Sequence, residues 1–215
     1  MTATADSIPF LPYDLPDAQL ASGELGSGCL VFVPPQTMVV IGKGSDPALE
    51  LRAETIREDN IPVVRRGTGG CAVILSPEMA VVSLALAHQR QRNSSDYFKS
   101  CNAAVIRALT QLGVSDLEHL GTSDIARHGR KIAGTAIYRN RDLVFYHAVI
   151  NLRASTETME RYLTPPPRMP DYRNGRTHSD FVTSLAAEGF TIELDFLRAR
   201  IETEFETIRQ EFGLG

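Results

Sequence analysis

The chain has no tryptophan and very little lysine. Among its 215 residues, 19 are arginine and only Lys43, Lys99 and Lys131 are lysine. Positive charge therefore comes almost wholly from the planar guanidinium fork. A lysine kept in such a chain is a candidate for work that needs a compact point charge on a flexible stem. Cysteine is also scarce. Cys29, Cys71 and Cys101 are odd in number and widely spaced, with no C-x-x-C pair, so neither a disulfide framework nor a zinc site is indicated. No run approaches the ~18 apolar residues of a membrane span. The first seven residues, Met1-Thr2-Ala3-Thr4-Ala5-Asp6-Ser7, lack a basic n-region and an apolar h-region, and a cytoplasmic location is expected. A basic excess is missing as well: the net charge is −4 and the isoelectric point about 5.8. General nucleic-acid binding is not indicated, and a basic face would have to be local.

What is present is an ordinary globular composition, 43% hydrophobic, enough for a sizeable core in one large domain. No internal repeat or low-complexity segment is found. A polar leader with Pro9, Pro12 and Pro16 is expected before the first ordered element. Strands are expected at residues 28–32, 37–41, 61–64, 72–75, 80–86, 132–138 and 143–151, the last two joined by a polar turn at 140–142. Helices are expected at 48–58, from Ser94 or Ser95 to about 111, at 156–163, at about 178–188 and at 194–212. A short strand is expected at 191–193, and residues 164–176, rich in Pro, Arg and Gly, read as an ordered loop. Strands, one helix, strands and then terminal helices predict an α+β fold with a mixed, mostly antiparallel β-sheet flanked by helices.

Two segments carry chemistry. In Val63-Val64-Arg65-Arg66-Gly67-Thr68-Gly69-Gly70-Cys71-Ala72-Val73, a strand feeds a turn with three Gly in four positions. Gly allows φ > 0 and close backbone approach. Consecutive free amides with Arg65 and Arg66 make an anion clamp, and an Arg-flanked β-hairpin with a Gly bulge is the alternative. It is not a Walker loop, because no Lys-Ser/Thr follows. The second segment is Gly121-Thr122-Ser123-Asp124-Ile125-Ala126-Arg127-His128-Gly129-Arg130-Lys131-Ile132-Ala133-Gly134. Here Lys131 is placed to stabilise negative charge on a carbonyl or phosphate oxygen, and Asp124 to position a metal, an ammonium or an adenylate. An exposed turn with a surface lysine is the alternative.

These segments resemble the lipoate–protein ligase branch of the biotin/lipoate ligase and octanoyltransferase family. Residues 65–73 match its Arg-Arg-x-Ser/Thr-Gly-Gly-Gly-Ala-Val loop except at Cys71. Ser123-Asp124-Ile125 and residues 129–134 match its Asn-Asp-Leu and Gly-Arg-Lys-Ile-x-Gly. Residues 39–43 and 146–150 match two further segments, so the resemblance spans about 28–185. It implies a catalytic domain covering 1–215 with no C-terminal accessory domain. Lys131 is then catalytic. Arg65, Arg66, Gly67, Thr68, Gly69, Gly70, Cys71, Ala72, Asp124, Gly134, Thr135 and His147 line the substrate and adenylate pocket, and no protein metal site is implied. The implied reaction joins lipoate or octanoate to ATP with Mg²⁺, giving an acyl-adenylate. A lysine of a lipoyl-acceptor domain then attacks it. The missing accessory domain makes a separate accessory subunit a candidate partner; neither nucleic acid nor membrane is implied.

The chain departs from the family in three ways. Cys71 replaces the third Gly of the loop, which keeps open an ATP-independent octanoyl or lipoyl transferase acting through a thioester; a small residue tolerated in a tight turn is the other reading. The chain is short. Tyr146 stands where His is common, with His147 beside it. Cys29 and Cys101 read as core residues. Arg168, Arg173, Arg176 and His178 form a basic stretch that faces an acidic acceptor domain, the nucleotide, or solvent.

Overall fold

Strand β10 (Leu143–Asn151) alternates between two environments, and that alternation organises the molecule. Val144, Tyr146, Ala148 and Ile150 are wholly buried on one face, against helices α4 (Ser94–Gln111) and α7 (Leu194–Glu211). Phe145, His147 and Val149 lie on the other face. Period-two alternation of this kind places one strand between two layers. The computed structural model describes residues 8–89 and 92–214. Its elements in chain order begin with β1 (Phe10–Pro12), α1 (Ala18–Ser22), β2 (Gly28–Phe32) and β3 (Met38–Ile41). Next come α2 (Pro47–Glu50), α3 (Ala53–Glu58), β4 (Val63–Arg65), β5 (Val73–Leu75), β6 (Met79–Ala87) and α4. They are followed by β7 (Leu117–Leu120), β8 (Asp124–Arg127), β9 (Arg130–Arg139), β10, α5 (Thr156–Tyr162), a 3-10 turn (Asp171–Arg173), α6 (His178–Phe181) and α7.

Six strands form one sheet in the order β2-β6-β10-β9-β8-β7, antiparallel throughout. Four short strands form a second sheet in the order β1-β4-β3-β5, where β4 runs parallel to both neighbours and β5 is antiparallel to β3. The mixed, mostly antiparallel α+β architecture expected from the sequence is the one observed. The short strands alternate too. Met38, Val40, Val64 and Leu75 pack against Phe32 and Val81 of the large sheet, while Val39, Ile41, Val63 and Ile74 pack outward against Ile56, Tyr162 and Leu163. Each fully buried aliphatic side chain here contributes roughly 1.5–3 kcal/mol. Helix α4 buries Tyr97, Cys101, Ala104, Val105, Ala108 and Leu109 at three-to-four-residue spacing. It is capped by Asn93 rather than Ser94 or Ser95, in a reciprocal capping box with Asp96.

Several expectations are corrected. The helix expected at 48–58 is two short helices, because Leu51 leaves the helix to bridge Leu163 and the Arg52 amide donates to the Tyr162 carbonyl. The helix expected at 178–188 keeps one turn: Val182 bridges Lys131, and the Thr183 amide donates to the Lys131 carbonyl. Residues 191–193 are not a strand. The leader holds β1 and α1, and it buries Asp17 beneath hydrogen bonds from Tyr13 and Ser83. Residues 124–127 are a full strand, paired with the unexpected β7. The Gly-rich segment is not a hairpin, since β4 and β5 lie on opposite sides of β3.

Candidate active site

The sequence from Gly129 to Gly134 does three local jobs. His128 and Gly129 both have positive φ, 49° and 69°, the pairing a tight two-residue hairpin between β8 and β9 demands. Next, the register shifts. Ile125 faces Ala133 and Ala126 faces Lys131, so Ile132 is an extra residue, a β-bulge. Lys131 and Gly134 are three apart, which on a regular strand means opposite faces. The bulge sends Ile132 into the helix-side core and turns Lys131 onto the Gly134 face. Finally, Gly134 leaves room. A Cβ there would lie 2.8 Å from Lys131 Nζ and 2.9 Å from its Cε, so the lysine stem runs flat across the missing side chain. Its Nζ ends 2.7 Å from Asp124 Oδ1, and Asp124 is directly opposite Gly134 on β8. The other oxygen, Oδ2, accepts a 2.8 Å hydrogen bond from Tyr172.

The Gly-rich loop wraps over the end of β3. Arg66 is its staple. Its Nε and Nη2 donate to the Gly69 carbonyl, Nη2 also to the Cys71 carbonyl, and Nη1 to the Val40 carbonyl. The Arg66 amide donates to Ile41, the Lys43 amide to the Thr68 carbonyl and the Ser45 hydroxyl to the Gly70 carbonyl. Gly42 has no alternative here, because a Cβ would meet the Gly70 oxygen at 2.1 Å. The Ala72 amide is not free either: buried Glu50 accepts it at 2.5 Å.

A cavity of about 550 Å³ lies between the Gly-rich loop and the Lys131–Asp124 pair, within the usual range for small-molecule sites. Val40, Val73, Leu75, Met79, Val81 and Val149 supply its apolar wall. Its roof is the strap formed by residues 164–177, which joins α5 to α6. Tyr172 latches the strap to Asp124, and Arg176 ties it to the Gly129 and Tyr172 carbonyls. Burial and the Arg66 charge push the His147 imidazole down to about 3, so it is neutral at neutral pH. His178 is likewise pushed down to about 4 by burial and by Arg173.

Of the residues expected at the site, Arg66, Gly70, Cys71, Ala72, Asp124, Lys131, Gly134, Thr135 and His147 line this cavity. Thr135 also donates to the Ser123 carbonyl, fixing the turn before Asp124. Gly67 and Thr68 face instead a smaller cavity of about 310 Å³ that shares Tyr13, Arg66 and His147 with the first. Arg65 faces neither cavity: its guanidinium stacks 4.3 Å over the Phe10 ring and donates to the Gly42 carbonyl. Gly69 serves as an acceptor for Arg66. Tyr146 points away from the site, and its hydroxyl donates to Asn102 of α4. Burial raises the thiol of Cys29, half-buried at the edge of the helix-side core, to about 11, and pushes up that of Cys101, which is fully buried within it. Tyr13, Glu50 and Tyr172 were missed. No local motif marks them, since each meets the site through contacts distant in sequence. Among the described residues no helix is long and apolar enough to cross a membrane, and no group of three metal-ligating side chains occurs.

Residues 18–206 match the family model of the lipoyl protein ligase A/B catalytic domain, and the chain is a member of that family. It is 33% identical over 121 residues to the lipoate-protein ligase LplJ of Bacillus subtilis, covering 56% of this chain and 36% of that protein. It is 32% identical over 127 residues to a lipoate–protein ligase of Streptococcus pyogenes, covering 59% and 37%. The matched stretch is thus little more than a third of those relatives' length. The fold matches the bi-partite lipoate protein ligase of Thermoplasma acidophilum, described together with its E2 lipoyl domain. There the TM-score is 0.73 at 19% identity, over 92% of this chain and 81% of that one. It also matches a lipoate-protein ligase A bound with ATP, with a TM-score of 0.69 at 18% identity, over 93% and 83%.

Proposed function

We propose that this chain is the catalytic domain of an ATP-dependent lipoate–protein ligase. The observation that carries the reading is the Lys131 ammonium, laid across Gly134 and held by Asp124 at the polar end of an acyl-sized cavity. In the first half-reaction a lipoate carboxylate oxygen attacks the α-phosphorus of ATP and pyrophosphate leaves. In the second, an acceptor lysine amine attacks the acyl carbon, AMP leaves and the amine gives up a proton. In both, charge grows on oxygen atoms. A preorganised ammonium strengthens its grip as that charge grows, which lowers the barrier. Asp124 aims Lys131, and Tyr172 fixes Asp124. The apolar wall takes the acyl chain, with lipoate or octanoate as the substrate class.

Mg²⁺ enters with ATP as the counter-ion of its phosphates. Asp124, the one carboxylate beside Lys131, is already bonded twice, so these residues do not build a site for a resident metal. The partner is a lipoyl-acceptor domain. The bi-partite Thermoplasma ligase supports a separate accessory subunit as a second partner.

The test is incubation with ATP, Mg²⁺, lipoate and a lipoyl-acceptor domain, read by intact mass. The acceptor is expected to gain one lipoyl group only when ATP is present. A second reading rests on Cys71, whose thiol lies on the loop that lines the cavity. Transfer from an acylated carrier without ATP, with an acyl adduct on Cys71, would replace ligase by transferase.

A further inference from the structure

Lys131 accounts for one of the three lysines, and Lys43 has no part in the reaction drawn above. It stands just past the end of β3 and lines the smaller cavity of about 310 Å³. The Gly-rich loop is divided between the two cavities: Gly70, Cys71 and Ala72 line the first, Gly67 and Thr68 the second. The sheet beneath is divided in the same way. On β9 the first cavity takes Gly134 and the second takes Tyr138, about 13 Å further along the strand. On β10 the residues paired with these two are Val149 and Phe145. The second cavity therefore lies along the sheet from the Lys131–Asp124 pair and apart from it.

Its polar lining is left open. Among the described residues the Lys43 ammonium makes no ion pair or hydrogen bond. Thr68 is 6% exposed, and its Oγ1 is buried without a partner. The Gly67 and Thr68 amides meet no acceptor, whereas the Lys43 amide is already held by the Thr68 carbonyl. The Tyr138 hydroxyl and the His147 ring nitrogens are unpaired as well. Asn140 has its side-chain oxygen occupied by the Asp142 and Leu143 amides, so it offers its Nδ2 donor. Arg66 adds a buried positive charge, although its hydrogen bonds are spent on carbonyls. No carboxylate lines this cavity. Tyr13, on its wall, turns its hydroxyl to Asp17 instead. Free donors thus come from the end of β3, from the loop and from the β9–β10 hairpin. A planar carboxylate presents two oxygens in one plane, whereas a tetrahedral phosphate group can meet donors from several sides. Successive free amides beside a compact ammonium are a recurrent phosphate cradle.

We propose that the second cavity is a separate binding site for a small phosphate, either the free ion or a monoester, held by Lys43, the Thr68 hydroxyl and the Gly67 and Thr68 amides. The inference goes beyond the ligase reading and does not depend on it. Inorganic phosphate, methyl phosphate and acetate are titrated at matched ionic strength, and the Gly67 and Thr68 amide signals are followed by NMR. The proteins are wild type, Lys43→Gln, Thr68→Val and Lys131→Gln. Both phosphates are expected to move these signals and to bind more tightly than acetate; the tighter of the two tells free ion from monoester. Lys43→Gln should weaken phosphate roughly 10- to 100-fold, the range for hydrogen bonds to a charged group, and Thr68→Val about three- to tenfold. Lys131→Gln should stay within about twofold of wild type, as a distant site does. Lys43 is exposed, so its replacement leaves the fold intact and decides the matter even if Thr68→Val does not fold. Amides that do not move, acetate bound as tightly as phosphate, or equal phosphate affinity in Lys43→Gln and wild type would overturn the inference. So would a loss in Lys131→Gln as large as that in Lys43→Gln, which would put the ion in the first cavity.

Discussion

Two arginines lie buried beside one cavity, and they are bonded differently. Arg66 is 5% exposed and Arg173 is 3% exposed, so burial alone does not distinguish them. Their donors do. Arg66 makes four hydrogen bonds to three backbone carbonyls and holds the Gly-rich loop over the end of β3. Among the described residues Arg173 makes one, from Nε to the Arg176 carbonyl, and its guanidinium lies over the Phe181 ring. A buried cation that closes its hydrogen bonds within the chain is architecture. The same contrast separates Arg65, stacked on Phe10, from Lys131, whose stem crosses Gly134 to reach Asp124.

Substitutions sharpen the contrast between residues that build the cavity and residues that face its contents. The largest effect is expected at Lys131. Lys131→Ala should lower single-turnover lipoyl transfer roughly 10²- to 10³-fold, the usual cost of one oxyanion donor, with the melting temperature little changed; wild-type turnover would remove Lys131 from the chemistry. Arg66→Met belongs to the other class. It strands three carbonyls and should cost about 2–4 kcal/mol by denaturant unfolding. A stable, inactive Arg66→Met protein would break the contrast by making Arg66 a ligand contact. Gly134→Ala is intermediate. The methyl group displaces the lysine stem, and turnover is expected to fall roughly tenfold, measured beside an unfolding curve that moves by less than about 1 kcal/mol. Tyr172→Phe should be mildest, a loss of roughly two- to fivefold in turnover from one hydrogen bond to Asp124. No change would show that the strap is not coupled to Asp124.

How far the sequence carries can be judged from neighbouring residues. Strand β10 is legible because its alternation repeats the pleat over nine residues. The turn at Asn140 is legible because its side chain accepts from the Asp142 and Leu143 amides, a purely local bond. The break between α2 and α3 is not, because it is made by Leu163, over a hundred residues away. At the site, scarcity alone singled out Lys131, and residue types alone singled out the Gly-rich loop. The duty of Arg66 was illegible, since its partner Val40 lies on another strand. The basic stretch was visible as composition. Its division into Arg176, turned to backbone carbonyls, and Arg173, turned to the cavity, exists only once the strap closes on β8 and β9.

The single extra residue at Ile132 has a consequence for how the paired strands β8 and β9 tolerate change in length. Between Lys131 and Gly134 the chain counts an odd number of steps, and only the bulge makes that parity come out on one side of the sheet. Inserting one residue into β8 opposite Ile132 would restore a perfectly regular ladder and, in the same stroke, rotate the ammonium toward Val105, Leu109 and the rest of the helix-side core. Of all single-residue insertions into this sheet, the one that improves its regularity most should be the one that silences it.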